Sequence, residues 1–182
     1  MQFDATRSDL TVGVIGAGAM GRGIAQVAAA GSMQVLITDS RAGAAQEARD
    51  FVEKLFARAA EKGSMTKDAA AAATARIKVV SGMAEFKPCH LVVEAIIEDL
   101  EVKRALFAEL ENIVASDCIL ASNTSSLSIT TIAAKLKTPQ RFAGMHFFNP
   151  VPLMKLVEVI AGLRTESWVI EALMAISRRM TR

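Results

Sequence analysis

The chain has 182 residues, 52% of them hydrophobic, and a formal net charge of +2. That length suits one domain with a sizeable core, and a near-balanced charge without basic runs excludes the electrostatic footprint of a nucleic-acid binder or a polybasic membrane anchor. No apolar run reaches the ~18 residues of a membrane span, and the N-terminus does not read as a signal peptide or, with Asp4 and Asp9, as a mitochondrial presequence. The expectation is a soluble, cytoplasmic protein. Cys89 and Cys118 lie far apart beside apolar runs, match no metal spacing, and read as buried free thiols.

In chain order, residues 11–15 form a short β-branched run that predicts a strand. Gly16-Ala17-Gly18-Ala19-Met20-Gly21 follows, a Gly-x-Gly-x-x-Gly turn opening a helix over 19–30 that Gly31 stops. A second strand over 34–38 ends at Asp39, which lies 18 residues after Gly21. Strand, glycine turn, helix and acid together read as a dinucleotide site; the glycine motif alone would be weak. Gly16 permits the tight turn, Gly18 lets a pyrophosphate approach the backbone, and Gly21 lets the helix pack near the sheet. The free amides of the helix's first turn, Ala19 and Met20 among them, then face the phosphates. Asp39 accepts from the ribose hydroxyls and repels a 2′-phosphate, so NAD is favoured over NADP. Arg41 pulls the other way, since a nearby arginine is how such sites take the extra phosphate.

Residues 43–62 carry Phe51, Val52, Leu55, Phe56 and Ala59 at helical spacing, and Gly63-Ser64 ends that helix. Thr66 reads as the N-cap of an alanine-rich helix to about 75, so 43–75 is expected to project as an antiparallel hairpin. Strands are expected over 77–80, 90–95, 118–121, 141–145 and 156–160. Helices are expected over 99–115, where Leu106, Leu110, Ile113 and Val114 form the buried stripe, and over 128–136 and 167–179. Arg178, Arg179 and Arg182 suit the end of the last helix. This alternation predicts one α/β domain over 1–182, a Rossmann-type doubly wound, mostly parallel sheet with a helical hairpin insertion. Its ligand crevice lies at the carboxyl ends of the strands.

Two polar clusters follow strands. One is Ser122-Asn123-Thr124-Ser125-Ser126; the other is His146-Phe147-Phe148-Asn149-Pro150, with Glu158 twelve residues beyond His146. A histidine after a strand tip at the nicotinamide end can take an alcohol proton, and an acid can fix its tautomer. The same pair also reads as a structural hydrogen bond under a loop. Ser125 and Asn123 read either as substrate and cofactor contacts or as caps of the following helix. His90 reads as a strand-edge histidine. Glu94 ends a strand at the crevice and reads as a contact to the cofactor ribose or to a backbone amide, or as a structural acid. Lys54 and Lys62 read as solvated helix charges.

Val12-Gly13-Val14-Ile15-Gly16-Ala17-Gly18-Ala19-Met20-Gly21, Val93-Glu94-Ala95-Ile96, Ser122-Asn123-Thr124-Ser125-Ser126 and His146-Phe147-Phe148-Asn149-Pro150 resemble the NAD-binding domain of 3-hydroxyacyl-CoA dehydrogenases, over about 9–182. The resemblance implies NAD-dependent oxidation of an (S)-3-hydroxyacyl-CoA to a 3-ketoacyl-CoA, with no nucleic-acid or membrane partner. By that likeness His146 is the catalytic base, Glu158 its partner and Ser125 the contact to the substrate oxygen. Asn123, Glu94 and Lys103 stand on the nicotinamide side, Gly16, Gly18, Gly21 and Asp39 hold the adenosine diphosphate half, and Asn149 borders the substrate. The hairpin over 43–75 matches the region that meets coenzyme A, which makes Lys62 a phosphate contact. The family carries a helical C-terminal domain that completes the site and forms a homodimer; the chain stops about where it begins, so a cofactor domain cut from a longer enzyme is expected. Within the fold, the alternative is a β-hydroxyacid dehydrogenase of the 6-phosphogluconate type, which needs a later lysine and is disfavoured by the His146/Glu158 pair. The alternative of another class is a catalytically silent NAD-binding module.

Overall fold

The computed structural model describes residues 3–181; Arg182, expected near the end of the last helix, lies outside the described residues. One seven-stranded sheet organises the chain, in the order β3-β2-β1-β4-β5-β6-β7. Its strands are β1 (Thr11–Ile15), β2 (Gln34–Thr38), β3 (Ile77–Val79), β4 (Leu91–Glu94), β5 (Ile119–Ser122), β6 (Phe142–Phe147) and β7 (Val157–Ala161). All neighbours are parallel except β6 and β7, which are antiparallel. The helices are α1 (Ala19–Ala30), α2 (Ala44–Glu61), α3 (Lys67–Ala75), α4 (Leu100–Leu110), α5 (Ile129–Ala133) and α6 (Ser167–Met180).

The central strands are mostly apolar, with Glu94 and Ser122 closing β4 and β5, because helices cover both faces. Leu91 and Val93 of β4 and Ile119 and Ala121 of β5 join the core under α1, α2, α3 and α6. Val92 and Leu120, one residue out of phase, join the opposite core with Phe107, Leu110 and Ile132 of α4 and α5. Successive strand side chains alternate between faces, so one apolar run feeds two layers. Cys89 and Cys118 are buried free thiols in the second layer.

The expected hairpin forms. Thr66 caps α3, its hydroxyl accepting from Ala69 N at 3.1 Å. Ala48 and Val52 of α2 and Ala70 and Ala73 of α3 join the first core, so the base of the hairpin is packed, while Lys62–Ser64 at its tip is exposed. Phe51 is largely exposed and supports the Arg22 guanidinium 4.1 Å above its ring. Two element boundaries matter for the site. The strand expected over 141–145 continues to Phe147, so His146 sits within β6 rather than after it. The helix expected over 99–115 is regular only to Leu110; Asp99 caps it, its carboxylate accepting from Val102 N at 3.0 Å.

Candidate active site

The sheet reverses direction of growth between β1 and β4, and loops leaving both strands line one crevice. After β1, Gly16 adopts φ +98, and a Cβ there would come within 2.5 Å of the Ala95 carbonyl oxygen. A Cβ at Gly21 would lie 1.7 Å from the Gly16 carbonyl oxygen, so Gly21 admits the turn first; Val14 of β1 is only the next neighbour, at 3.4 Å. Gly18 differs, because a Cβ there would meet no protein atom within 4 Å. The fold itself does not require that glycine, whereas a pyrophosphate lying on the backbone does.

Asp39 reaches across to this turn. Its Oδ2 accepts from Ala17 N at 2.6 Å and its Oδ1 from Arg41 N at 2.8 Å. A carboxylate offers about four acceptor positions, so two are left for hydroxyls. Gly16, Gly18 and Asp39 border a cavity of about 820 Å³ whose opposite wall is apolar, with Ile97, Val102 and Leu106. A ribose on the polar side and a flat base on the apolar side fit this wall chemistry.

Ala95 and Ile96 also border a second cavity of about 350 Å³, so the two cavities adjoin at these residues. Met20, Glu98, Lys103, Asn123, Ser125, His146 and Asn149 line it. His146 and Ser125 in turn border a third cavity, of about 280 Å³, together with Glu158.

Antiparallel pairing sets the histidine. His146 of β6 lies directly opposite Glu158 of β7, and Nδ1 stands 2.8 Å from Glu158 Oε2. The histidine side chain is 18% exposed and the glutamate 53%. With Nδ1 facing a carboxylate, the proton belongs on Nδ1, and Nε2 is the nitrogen left to accept one. Just past the neighbouring strand β5, Asn123 Oδ1 accepts from Phe147 N at 2.8 Å, which leaves the amide NH₂ for the crevice. Helix α5 is capped by Ser128, whose hydroxyl accepts from Thr131 N, and the preceding turn by Thr124, which accepts from Leu127 N. Capping therefore uses neither Asn123 nor Ser125. The Ser125 side chain is exposed and its hydroxyl has no hydrogen-bond partner among the described residues.

A family model for the 3-hydroxyacyl-CoA dehydrogenase NAD-binding domain matches residues 11–182. The chain belongs to this family. It is 45% identical to a 3-hydroxyadipyl-CoA dehydrogenase of Escherichia coli (strain K12), over 90% of this chain and 34% of that protein. It is 44% identical to a probable 3-hydroxybutyryl-CoA dehydrogenase of Bacillus subtilis (strain 168), over 92% of this chain and 58% of that protein. The crystal structure of (S)-3-hydroxybutyryl-CoA dehydrogenase from Ralstonia eutropha superposes with a TM-score of 0.90 at 40% identity, covering 94% of this chain and 61% of that one. The chain thus spans only part of the length of the relatives it matches. As an NAD-binding domain of this family, it takes NAD as its cofactor.

Within this NAD-binding domain, Glu94 takes the structural alternative and not the nicotinamide-side role that the resemblance implies. It is fully buried, and both its oxygens are engaged inside the protein. Oε1 accepts from Ile96 N at 2.7 Å and Lys103 Nζ at 2.5 Å, and Oε2 accepts from Ser122 Oγ at 2.7 Å. It is therefore a structural acid beneath the crevice and not a ribose contact. Lys103 is 1% exposed and bridges Glu94 to Glu98, 3.1 Å away on the crevice side. Glu98, which the sequence reading passed over, is the acid that borders the cavity. It also accepts from the hydroxyls of Thr124 and Ser126. Burial works to raise its pKa, but the Thr124 and Lys103 hydrogen bonds and the Lys103 charge hold it down at about 2. A signal for it existed: Lys103 shares one face of α4 with Phe107 and Leu110, and a lysine on a buried face requires carboxylates.

The remaining candidates separate cleanly. Lys62 is exposed at the hairpin tip and borders none of the three crevice cavities. Lys54 is likewise exposed on α2. His90 lies at the other end of the sheet, where its Nδ1 accepts from Thr11 N at 3.0 Å; burial pushes its pKa below the ordinary histidine value.

Proposed function

We propose that the chain is the cofactor-binding part of an NAD-dependent (S)-3-hydroxyacyl-CoA dehydrogenase, which converts the C3 alcohol of its substrate to a 3-ketoacyl-CoA. One observation carries this reading: His146, paired with Glu158, borders a cavity that shares Ala95 and Ile96 with the cavity at the glycine turn. NAD, when bound, accepts the hydride that leaves C3. His146 Nε2 takes the hydroxyl proton as that hydride departs, and Glu158 offsets the positive charge that results on the ring. The unpartnered Ser125 hydroxyl bonds the substrate oxygen and holds it against Nε2. Asn123 offers its amide to the nicotinamide side, where Met20, Glu98 and Lys103 complete the wall. Ala19 and Met20 open α1, and its first-turn amides, with Gly16, Gly18 and Gly21, hold the pyrophosphate; Asp39 holds the ribose. Asn149 borders the same cavity and faces the acyl-CoA. Lys62 sits at the exposed hairpin tip, where a cation meets coenzyme A phosphates from solvent.

No helix among the described residues is long and apolar enough to cross a membrane, and both thiols are buried and free. These features support a cytoplasmic enzyme. The longer protein is a homodimer joined through the part beyond this domain. NADH-dependent reduction of acetoacetyl-CoA tests the reading, on this chain and on the chain continued through a family C-terminal domain. Turnover by the longer form is expected. NADH binding by both forms with turnover by neither would leave a cofactor-binding module and end the dehydrogenase reading.

A further inference from the structure

The adenosine end of the crevice holds a cation for which the reading above has no use. Arg41 follows Asp39 by two residues, and its backbone N–H is tied to Asp39 Oδ1 at 2.8 Å. Its guanidinium makes a two-point pair with Glu47 of α2, at 2.6 and 3.2 Å. Asp39, Ser40, Arg41 and Glu85 border a cavity of about 530 Å³ that shares Thr38, Asp39, Ser40 and Ser81 with the adenosine-side cavity. Glu85 is fixed there, accepting from Ser81 N at 2.9 Å and Gly82 N at 3.2 Å. An arginine beside the acid at the tip of the second strand is the group that receives a 2′-phosphate in a dinucleotide site. Arg41 occupies that place, but its planar fork already faces a carboxylate of matching geometry.

We propose that Glu47 is a specificity-determining residue: by pairing with Arg41 it withholds the guanidinium from the 2′-phosphate of NADP and so reinforces the preference for NAD. The inference rests on the ribose lying at Asp39. Asp39 acts by direct repulsion. Glu47 acts by occupying the one cation that would offset that repulsion, and Glu85 adds a second fixed negative charge on the far wall. Removing Glu47 leaves the Arg41 guanidinium with no hydrogen-bonded carboxylate among the described residues. Both side chains of the pair are about two-thirds exposed, at 64% and 65%, so the effect is modest and weakens with salt.

Binding of NADH and NADPH to the full chain, followed by nicotinamide fluorescence, reads this without turnover. Glu47→Gln is expected to raise NADPH affinity about 2- to 5-fold at low salt while NADH stays within about 2-fold. The same gain is expected on a D39N background, where direct repulsion is removed and NADPH binding is strong enough to measure closely. Adding Arg41→Ala should erase the gain, and raised salt should shrink it. Unchanged NADPH affinity in E47Q on both backgrounds, or a gain that survives Arg41→Ala, overturns the proposal while NADH binding stands. Failure of the unaltered chain to bind NADH overturns the site at Asp39 and the proposal with it.

Discussion

Asp39 and Glu94 stand one register step apart on either side of β1. Glu94 is the last residue of β4, opposite Ile15 of β1, whereas on β2 it is Thr38 that lies opposite Ile15, and Asp39 follows it into the crevice. Asp39 is half-buried and accepts only backbone amides, from Ala17 and Arg41. Glu94 is fully buried and meets Lys103 and Ser122. Register and the segment that follows each strand make the difference. After β4, α4 returns with Lys103 on its buried face, and the ammonium claims the carboxylate. After β2, the available cation is Arg41, and Glu47 of α2 takes its side chain. Strand-end position brings an acid within reach of a ligand; one step of register and the nearest cation decide whether it remains available.

The contrast extends to the chemistry on the β5–β7 side, where the largest effect is expected. Replacing His146 by Ala in the longer enzyme should lower turnover by about 10²–10⁴-fold while NADH affinity stays within about 2-fold, because the general base acts on the alcohol and not on the cofactor. Steady-state rates with acetoacetyl-CoA and a fluorescence titration separate the two. A loss of affinity equal to the loss of rate would move His146 from the chemistry to the cofactor pocket.

Glu94→Ala should fail differently. It leaves Lys103 buried with only Glu98, and removing one partner of a buried pair costs about 3–5 kcal/mol. Urea unfolding measures that loss, and the double variant Glu94→Gln, Lys103→Met should recover part of it. A change under about 1 kcal/mol would mean that Lys103 reaches solvent, and the contrast with Asp39 would disappear. Asp39→Ala comes next. Losing charge-assisted bonds to the ribose should weaken NADH by about 10-fold and narrow the gap to NADPH, with little change in the urea midpoint. If Asp39→Ala instead unfolds as easily as Glu94→Ala, its bond to Ala17 is structural and the two acids are alike.

The β1–α1–β2 unit was legible because its determinants are local. Gly16, Gly18, Gly21 and Asp39 lie within a stretch of about 25 residues, and each spacing has a steric or electrostatic meaning. Element order was also readable, since periodicity and turn residues dictate it. The layer beneath the crevice was not. Glu94, Ser122 and Lys103 come from three elements, and Glu98 lies in a loop whose path depends on where Lys103 is buried. The sequence carries two acids, Glu94 and Glu98, ahead of Lys103, and only Glu94 was singled out. Only packing determined that the first goes under the crevice and the second borders it. His146 was placed one step too far along for a related reason: β6 gains two residues by pairing with β7, and nothing local to Met145 announces that partner.

Glu98 stands between the two cases and carries the smallest predicted effect. It is 39% exposed, yet it is tied to Lys103 at 3.1 Å and to the hydroxyls of Thr124 and Ser126. Its carboxyl is held at about 2, below the ordinary 4.5, so the folded chain binds fewer protons there than the unfolded one in that interval. Its contribution to stability is therefore complete above about pH 4.5 and is lost as pH falls toward about 2. Urea midpoints for the unaltered chain and Glu98→Gln should differ most near neutral pH and converge toward the acid end. Solvent screening at a partly exposed site keeps the gap small. A constant gap across that range would mean Glu98 is not held ionised by its neighbours. Convergence would tie the Ser125 loop to the same charge, because Thr124 and Ser126, on either side of Ser125, both donate to Glu98.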